Sequence, residues 1–126
     1  MSRTFIILST ILGFTGVALG AFGAHGLQAT LEANGRTGTF ETASRYQMYH
    51  ALALIGVAWL TSVKADPFLT AAGWTLFAGA VIFSGALYVL AIFDVRIMGA
   101  VAPIGGLLML IGWACMGIGA WRIFSA

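Results

Sequence analysis

Charge is what this chain lacks most. Six lysines and arginines and four aspartates and glutamates make up 8% of its 126 residues. A soluble domain carries roughly 25% charged residues, which keep its surface in water. So low a share excludes an ordinary soluble domain. With a net charge of +2 and no basic run or patch, nucleic acid is excluded as a partner. Cysteine is almost missing too. Cys115, the single one, can form no disulfide within the chain and has no partner for a thiolate metal pair. It lies inside an apolar run, where a cysteine serves as a small packing residue. There is no nucleophile–base pair, glycine-rich phosphate loop or pair of catalytic carboxylates, so the chain reads as a non-enzyme with no catalytic residue and no cofactor assigned.

What is plentiful is apolar. Hydrophobic residues make up 60% of the chain, and the mean hydropathy is +0.99. Four runs stand out: Thr4 to Ala24, Tyr46 to Val63, Phe68 to Phe93 and Val101 to Trp121. A bilayer core needs about 20 such residues per helix. Backbone groups in lipid must bond within their own segment, so each run is expected to be a helix. The expected fold class is all-α: one domain over residues 1–126, a four-helix antiparallel transmembrane bundle. The second run is the shortest and is polar at its start. A secretory signal competes for the first run, since Arg3, an apolar stretch and small residues near Ala18 to Ala24 fit that pattern.

The connections support antiparallel neighbours. Lys64-Ala65-Asp66-Pro67 is a tight turn in which Asp66 suits an N-cap and Pro67 the first helical position. Pro103 is expected to open the last helix or to kink it. The first connection, Gly26 to Arg45, is long, with turn chemistry at Asn34-Gly35-Arg36-Thr37-Gly38. Thr39 is a candidate cap for a helix that starts outside the membrane and carries Glu41 and Arg45 as an exposed i,i+4 pair. Lysines and arginines tie between the two sides: Arg3, Lys64 and Arg122 against Arg36, Arg45 and Arg96. The positive-inside rule therefore votes weakly, and the reading with both termini in the cytoplasm rests on the acids Glu32, Glu41 and Asp94 lying on the other side.

Seventeen glycines are available to pack such helices. Lipid supplies no hydrophobic drive between helices, so close backbone approach and dispersion hold them together. Gly13, Gly16, Gly20 and Gly23 form one stripe on the first run, and Gly105, Gly112 and Gly119 recur every seven residues on the last. Either stripe could instead serve a second copy or a larger membrane complex.

The polar residues gather on one side of the expected bundle. They are His25 at the end of the first run, Tyr46, Gln47 and His50 at the start of the second, Ser84, Tyr88 and Asp94 towards the end of the third, and Arg96 before the fourth. Ionisable groups within a membrane are costly and face an interior or a cavity. This cluster could tie the helices together, bind a partner or lipid-like molecule, or hold a quinone. His25 and His50 could ligate a haem from two helices. They are too few for a zinc site. A proton relay or small transporter is a further alternative, weakened because no span carries a charge at mid-membrane.

Several strings carry a family likeness: Gly20-Ala21-Phe22-Gly23-Ala24-His25, Tyr46-Gln47 with His50, Phe83-Ser84-Gly85, Leu87-Tyr88 and Pro103-Ile104-Gly105-Gly106. In this order, and over nearly the whole chain, they resemble the YgdD-type family of small bacterial inner-membrane proteins, a family of unknown function. Ala86 departs mildly from that pattern, where a serine is common. The resemblance implies a multi-pass protein of the inner membrane and no established activity. Its expected surroundings are the lipid bilayer, with a homo-oligomer or a larger, respiratory complex as alternatives.

Overall fold

A computed structural model describes residues 1–125. Among these the chain is all helix: α1 (Ser2–His25), α2 (Gln28–Asn34), α3 (Thr37–Val63), α4 (Pro67–Phe93) and α5 (Met98–Phe124). Three of them, α1, α4 and α5, are long and apolar enough to cross a membrane. The fourth long helix, α3, is less apolar because Tyr46, Gln47, Tyr49 and His50 fall within it. Four long helices were expected, and four are present, but the composition of a membrane span extends to three.

The boundaries correct the sequence reading at two points. The long first connection contains the short helix α2. It ends at Gly35, whose left-handed φ of 64° suits glycine. There the Arg36 N–H donates to the Leu31 carbonyl at 2.9 Å and the Gly35 N–H to that of Glu32 at 3.1 Å, closing a Schellman-type turn. This turn delivers the chain directly into α3 at Thr37, so Thr39 lies inside the helix and caps nothing. Of the two places open to Pro103 the structure takes the later one, the sixth position of α5, where it leaves the Gly99 carbonyl without its helical donor. The turn at Asp66 follows expectation: its carboxylate accepts from the Phe68 N–H at 2.8 Å, and Pro67 opens α4.

The helices are arranged around α3 and α4. α1 packs mainly on α3, and α5 mainly on α4. Both outer seams repeat every seven residues. On α1, Ser2 and Ser9 donate at 2.7 Å to the carbonyls of Ala58 and Ala51, which are themselves seven apart on α3. The same row continues through Gly16, against Met48 and Gln47, to Gly23, into which Phe40 inserts. On α5, Gly105 lies against the Gly79 and Phe83 backbone, Gly112 against Leu76 and Thr75, and Gly119 against Leu69. A period of seven gives slightly inclined, left-handed packing along the full length of a helix pair. Gly20 meets Ser44, whereas Gly13 has no neighbour within 4 Å. Gly13 therefore leaves the stripe assigned to it, because it points away from α3.

At the end of the bundle holding the α3–α4 turn, Arg122 donates from Nε to Asp66 Oδ2 at 2.7 Å and lies over the Phe68 ring. The Arg122 hydrogen bond holds the Asp66 carboxyl below its usual 3.8; burial opposes this, and the Phe68 N–H adds to it. At the other end, α2 closes the bundle with Leu31 buried among Phe40, Ala43, Tyr88 and Ala91. Asn34 donates to the carbonyls of Ala91 and Ile92 at 3.0 and 3.1 Å, capping the end of α4.

Two outcomes are expected. A Cβ on Gly105 would fall on the Phe83 backbone and 2.7 Å from the Gly79 carbonyl. Gly105→Ala should therefore lower stability by about 1–3 kcal/mol, the usual cost of overpacking. Gly117→Ala, in open space, should leave it unchanged or raise it slightly. Thermal melts in mild detergent compare the two. Because the Asp66 carboxyl is depressed in the folded state, its contribution is complete above 3.8 and lost as the pH falls through the lower folded value. Arg122→Gln should thus melt lower than the wild type at neutral pH, and the gap should close in acid. A gap that persists in acid would show that the ion pair is not its source.

Candidate functional site

The polar residues expected to cluster fall into three separate settings. The first is buried between α1, α3 and α4. Gln47, 5% exposed, projects from α3 and uses both ends of its amide. Nε2 donates to Thr15 Oγ1 at 2.7 Å and to the Leu12 carbonyl at 3.0 Å on α1. Oε1 accepts from the Tyr88 hydroxyl at 2.6 Å on α4. Beside it, Ser84 donates to the Ala43 carbonyl at 2.8 Å, and the Phe40 ring stands edge-on to Tyr88. Three helices are thus joined through one side chain. Among the described residues no buried side-chain polar atom lacks a partner.

The second setting lies between α3 and α5. His50, 4% exposed, has its Nδ1 at 2.7 Å from the Tyr46 carbonyl and its Nε2 at 3.1 Å from Trp113 Nε1. A carbonyl only accepts and an indole N–H only donates. The neutral tautomer with the proton on Nδ1 satisfies both, and both nitrogens are then occupied. Tyr46, Phe83, Pro103, Gly106 and Leu110 complete an open, mainly apolar groove of about 520 Å³.

The third setting is the α2 end of the bundle. Asp94 ends α4 with a left-handed φ of 53°, and its carboxylate lies 3.5 Å from Arg36 Nε. Arg96 is exposed, as is His25. Gly23 faces Phe40, so His25 lies level with the residues just before Phe40. His50 stands ten residues beyond it, which puts the two histidines roughly 18 Å apart along the bundle at 1.5 Å per residue. They share no site, and the pair that a haem ligated by two histidines would need is not formed. Among the described residues, no group of three metal-ligating side chains occurs.

A cavity of about 470 Å³ opens beside this third setting, between the end of α1, α2 and the first turns of α3. Gly20, Gly23 and Ala24 line it on α1, Gln28, Leu31 and Glu32 on α2, and Phe40, Glu41, Ser44 and Arg45 on α3. The Glu41 and Arg45 side chains are exposed and 3.6 Å apart, and Gln28 donates to Glu32 at 3.2 Å. Sequence reasoning took Glu41 and Arg45 as a solvated pair and did not identify Gln28 and Glu32. The signal available was two polar i,i+4 pairs flanking a turn, next to a small-residue stripe. Thr15, Asn34 and Trp113 were also missed as partners of Gln47, α4 and His50. Each bond joins different helices, so no local pattern announces it.

Residues 19–106 match the family model described as protein of unknown function (DUF423). The chain is 42% identical to a UPF0382 membrane protein of Staphylococcus saprophyticus, over 96% of this chain and 99% of that one. It is 41% identical to the UPF0382 membrane protein YwdK of Bacillus subtilis, over 94% of this chain and 96% of the relative. It is also 41% identical to the UPF0382 inner membrane protein YgdD of Escherichia coli, over 97% of this chain and 92% of that one. No solved structure matches.

The Gln47 network sets a measurable expectation. Interhelical hydrogen bonds in membranes contribute about 0.6 kcal/mol on average and up to about 1.7. Tyr88→Phe and Gln47→Leu should each destabilise the fold. Their double-mutant cycle should give a coupling towards the upper end of that range. Reversible unfolding in mixed micelles provides the measurement, and zero coupling would remove the network from the forces that join α3 to α4.

Proposed function

Because the chain belongs to the DUF423 family and is a multi-pass membrane protein of the bacterial inner membrane, we propose that it is a four-span bundle whose interfacial cavity receives a lipid-like molecule. The fourth span is α3. Its contacts with α1 run from Ala58 to Phe40, which is the depth that α1 itself covers. The residues that lower its hydropathy include Gln47 and His50, both turned inward and bonded, so the face it offers to lipid is apolar. Leu52, Ile55 and Trp59 make up that face. In this reading the Gln47–Tyr88 network organises the bundle, and the termini lie on the cytoplasmic side.

The observation that carries the binding role is the cavity among Gly20, Ala24, Glu32, Glu41 and Arg45. It lies where the α1 span ends, at the depth of lipid headgroups. The α3–α5 groove supports binding less well, since both nitrogens of His50 are already engaged. An alternative, assembly into a larger complex or homo-oligomer, is favoured by Gly13, Gly85 and Gly117, which have no neighbour within 4 Å and leave small surfaces facing outward.

Two measurements test the proposal. On a Cys115→Ala background, Gly38→Cys should react with an impermeant thiol reagent in intact cells, and Lys64→Cys only once the inner face is opened. Labelling of both from one side would remove α3 from the spans. Native mass spectrometry of gently extracted protein should retain lipid, and Ala24→Trp, which fills the cavity, should release it while the fold is kept. A partner protein that survives extraction would instead support the complex.

A further inference from the structure

From the order of charges with depth in the interfacial cavity, we infer that its ligand is a phosphoethanolamine headgroup, a phosphate with a primary ammonium beyond it, carried by a membrane lipid. This deepens the reading above and rests on it. Arg45 is the deepest charge, one helical turn further into the bundle than Glu41 on the same helix. Glu32, on α2, also lines the cavity. A phospholipid in a bilayer has the same order along the membrane normal: acyl chains innermost, then phosphate, then amine. Arg45 thus meets the phosphate with a guanidinium, and Glu41 and Glu32 meet the ammonium with carboxylates. The Cβ atoms of residues at i and i+4 are about 6 Å apart, close to the reach from a phosphate to an ammonium two carbons away, and the charged ends, 3.6 Å apart in the free protein, separate when a ligand replaces their pairing.

The surroundings agree with this orientation. One turn below Arg45 the exposed face of α3 becomes apolar, through Tyr49, Leu52 and Ile55, and α1 beside it exposes Val17 and Phe14. Acyl chains can follow this slope towards the bilayer centre. Gly20, Gly23 and Ala24 keep the wall low where the headgroup enters. The ion pair in place there is weak: at 3.6 Å, with both side chains more than half exposed, it contributes little and is readily exchanged for ligand contacts. Two carboxylates against one guanidinium leave the lining net negative. That disfavours anionic headgroups such as glycerol phosphates, which bring no cation to the acids.

The test uses the full chain in nanodiscs of defined lipid and native mass spectrometry of the lipids it retains. Phosphatidylethanolamine should be retained over phosphatidylglycerol and phosphatidylcholine. The double exchange Glu41→Arg with Arg45→Glu keeps the net charge and the i,i+4 pair but inverts the order with depth. It should weaken phosphatidylethanolamine retention about tenfold, the equivalent of 1.4 kcal/mol, without lowering the melting temperature. Unchanged preference in the exchanged protein overturns the assignment, and so does equal retention of the three lipids by the wild type. Displacement of the lipid by millimolar soluble phosphoethanolamine would assign the site to the free compound and overturn the lipid source. The cavity-filling Ala24→Trp variant separates the two levels. If it releases every lipid while the exchange changes nothing, the cavity binds lipid and the headgroup assignment fails. If it releases none, the cavity reading fails as well.

Discussion

In lipid, a helix gains nothing by hiding a leucine from its surroundings, so whatever holds α1 on α3 and α5 on α4 must come from closeness. Every other feature of the fold depends on that constraint. It explains why the outer helices meet the inner pair through serine and glycine. On α1 the row is Ser2, Ser9, Gly16 and Gly23; on α5 it is Gly105, Gly112 and Gly119. Small residues bring the backbones together, and the two serines add a hydrogen bond to a carbonyl at each step. The spacing of seven keeps the rows on one face from end to end. Large side chains are then displaced to the outside, where Phe14, Leu52, Trp59, Leu110 and Trp121 are exposed.

Within that frame, polar groups appear only where each can be fully bonded. Gln47 could not sit at this depth without Thr15, Leu12 and Tyr88 around its amide, since an unbonded amide in an apolar interior costs several kcal/mol. His50 has the same relation to the Tyr46 carbonyl and the Trp113 indole. The residues that gave the sequence its distinctive character are therefore fastened inward. The polar lining that is open lies instead at the end of the bundle, where α2 turns the chain back into α3. Under the proposed function, binding at the rim and cohesion in the middle are separate tasks given to separate residues.

How much of this was legible in advance varied with the range of the interaction. The turn at Asp66-Pro67 was readable because its cap and its proline lie within two residues of each other. The period of seven on α5 was readable because it is a one-dimensional pattern. The start of α3 was misplaced because the Schellman-type turn at Gly35 completes one helix and begins the next with no capping side chain to mark the boundary. α2 itself, with only Leu31 buried, is too short to show a helical period. The two histidines were grouped because both stand near the ends of apolar runs. Only the register of α1 against α3 shows that one is at the rim and the other well inside. Trp113 was not connected to His50 for the same reason: 63 residues separate them, and nothing local records which helix faces which.

The seam between α1 and α3 also bears on how the protein is made. α1 is synthesised first, but the face it must join is not finished until Val63, 38 residues after His25. At about 5–20 residues per second, a ribosome takes roughly two to eight seconds to reach that point. Until then Ser2 and Ser9 have no carbonyls of α3 to bond, and α1 must wait in the bilayer as a lone helix. An α-helix whose row of contacts is glycine and serine tolerates that wait: glycine leaves nothing unbonded, and the Ser9 hydroxyl can turn back onto a carbonyl of its own helix, as Thr10 and Thr15 do in the finished fold. The residues that let the helices come close at the end also let the first of them be left alone at the beginning.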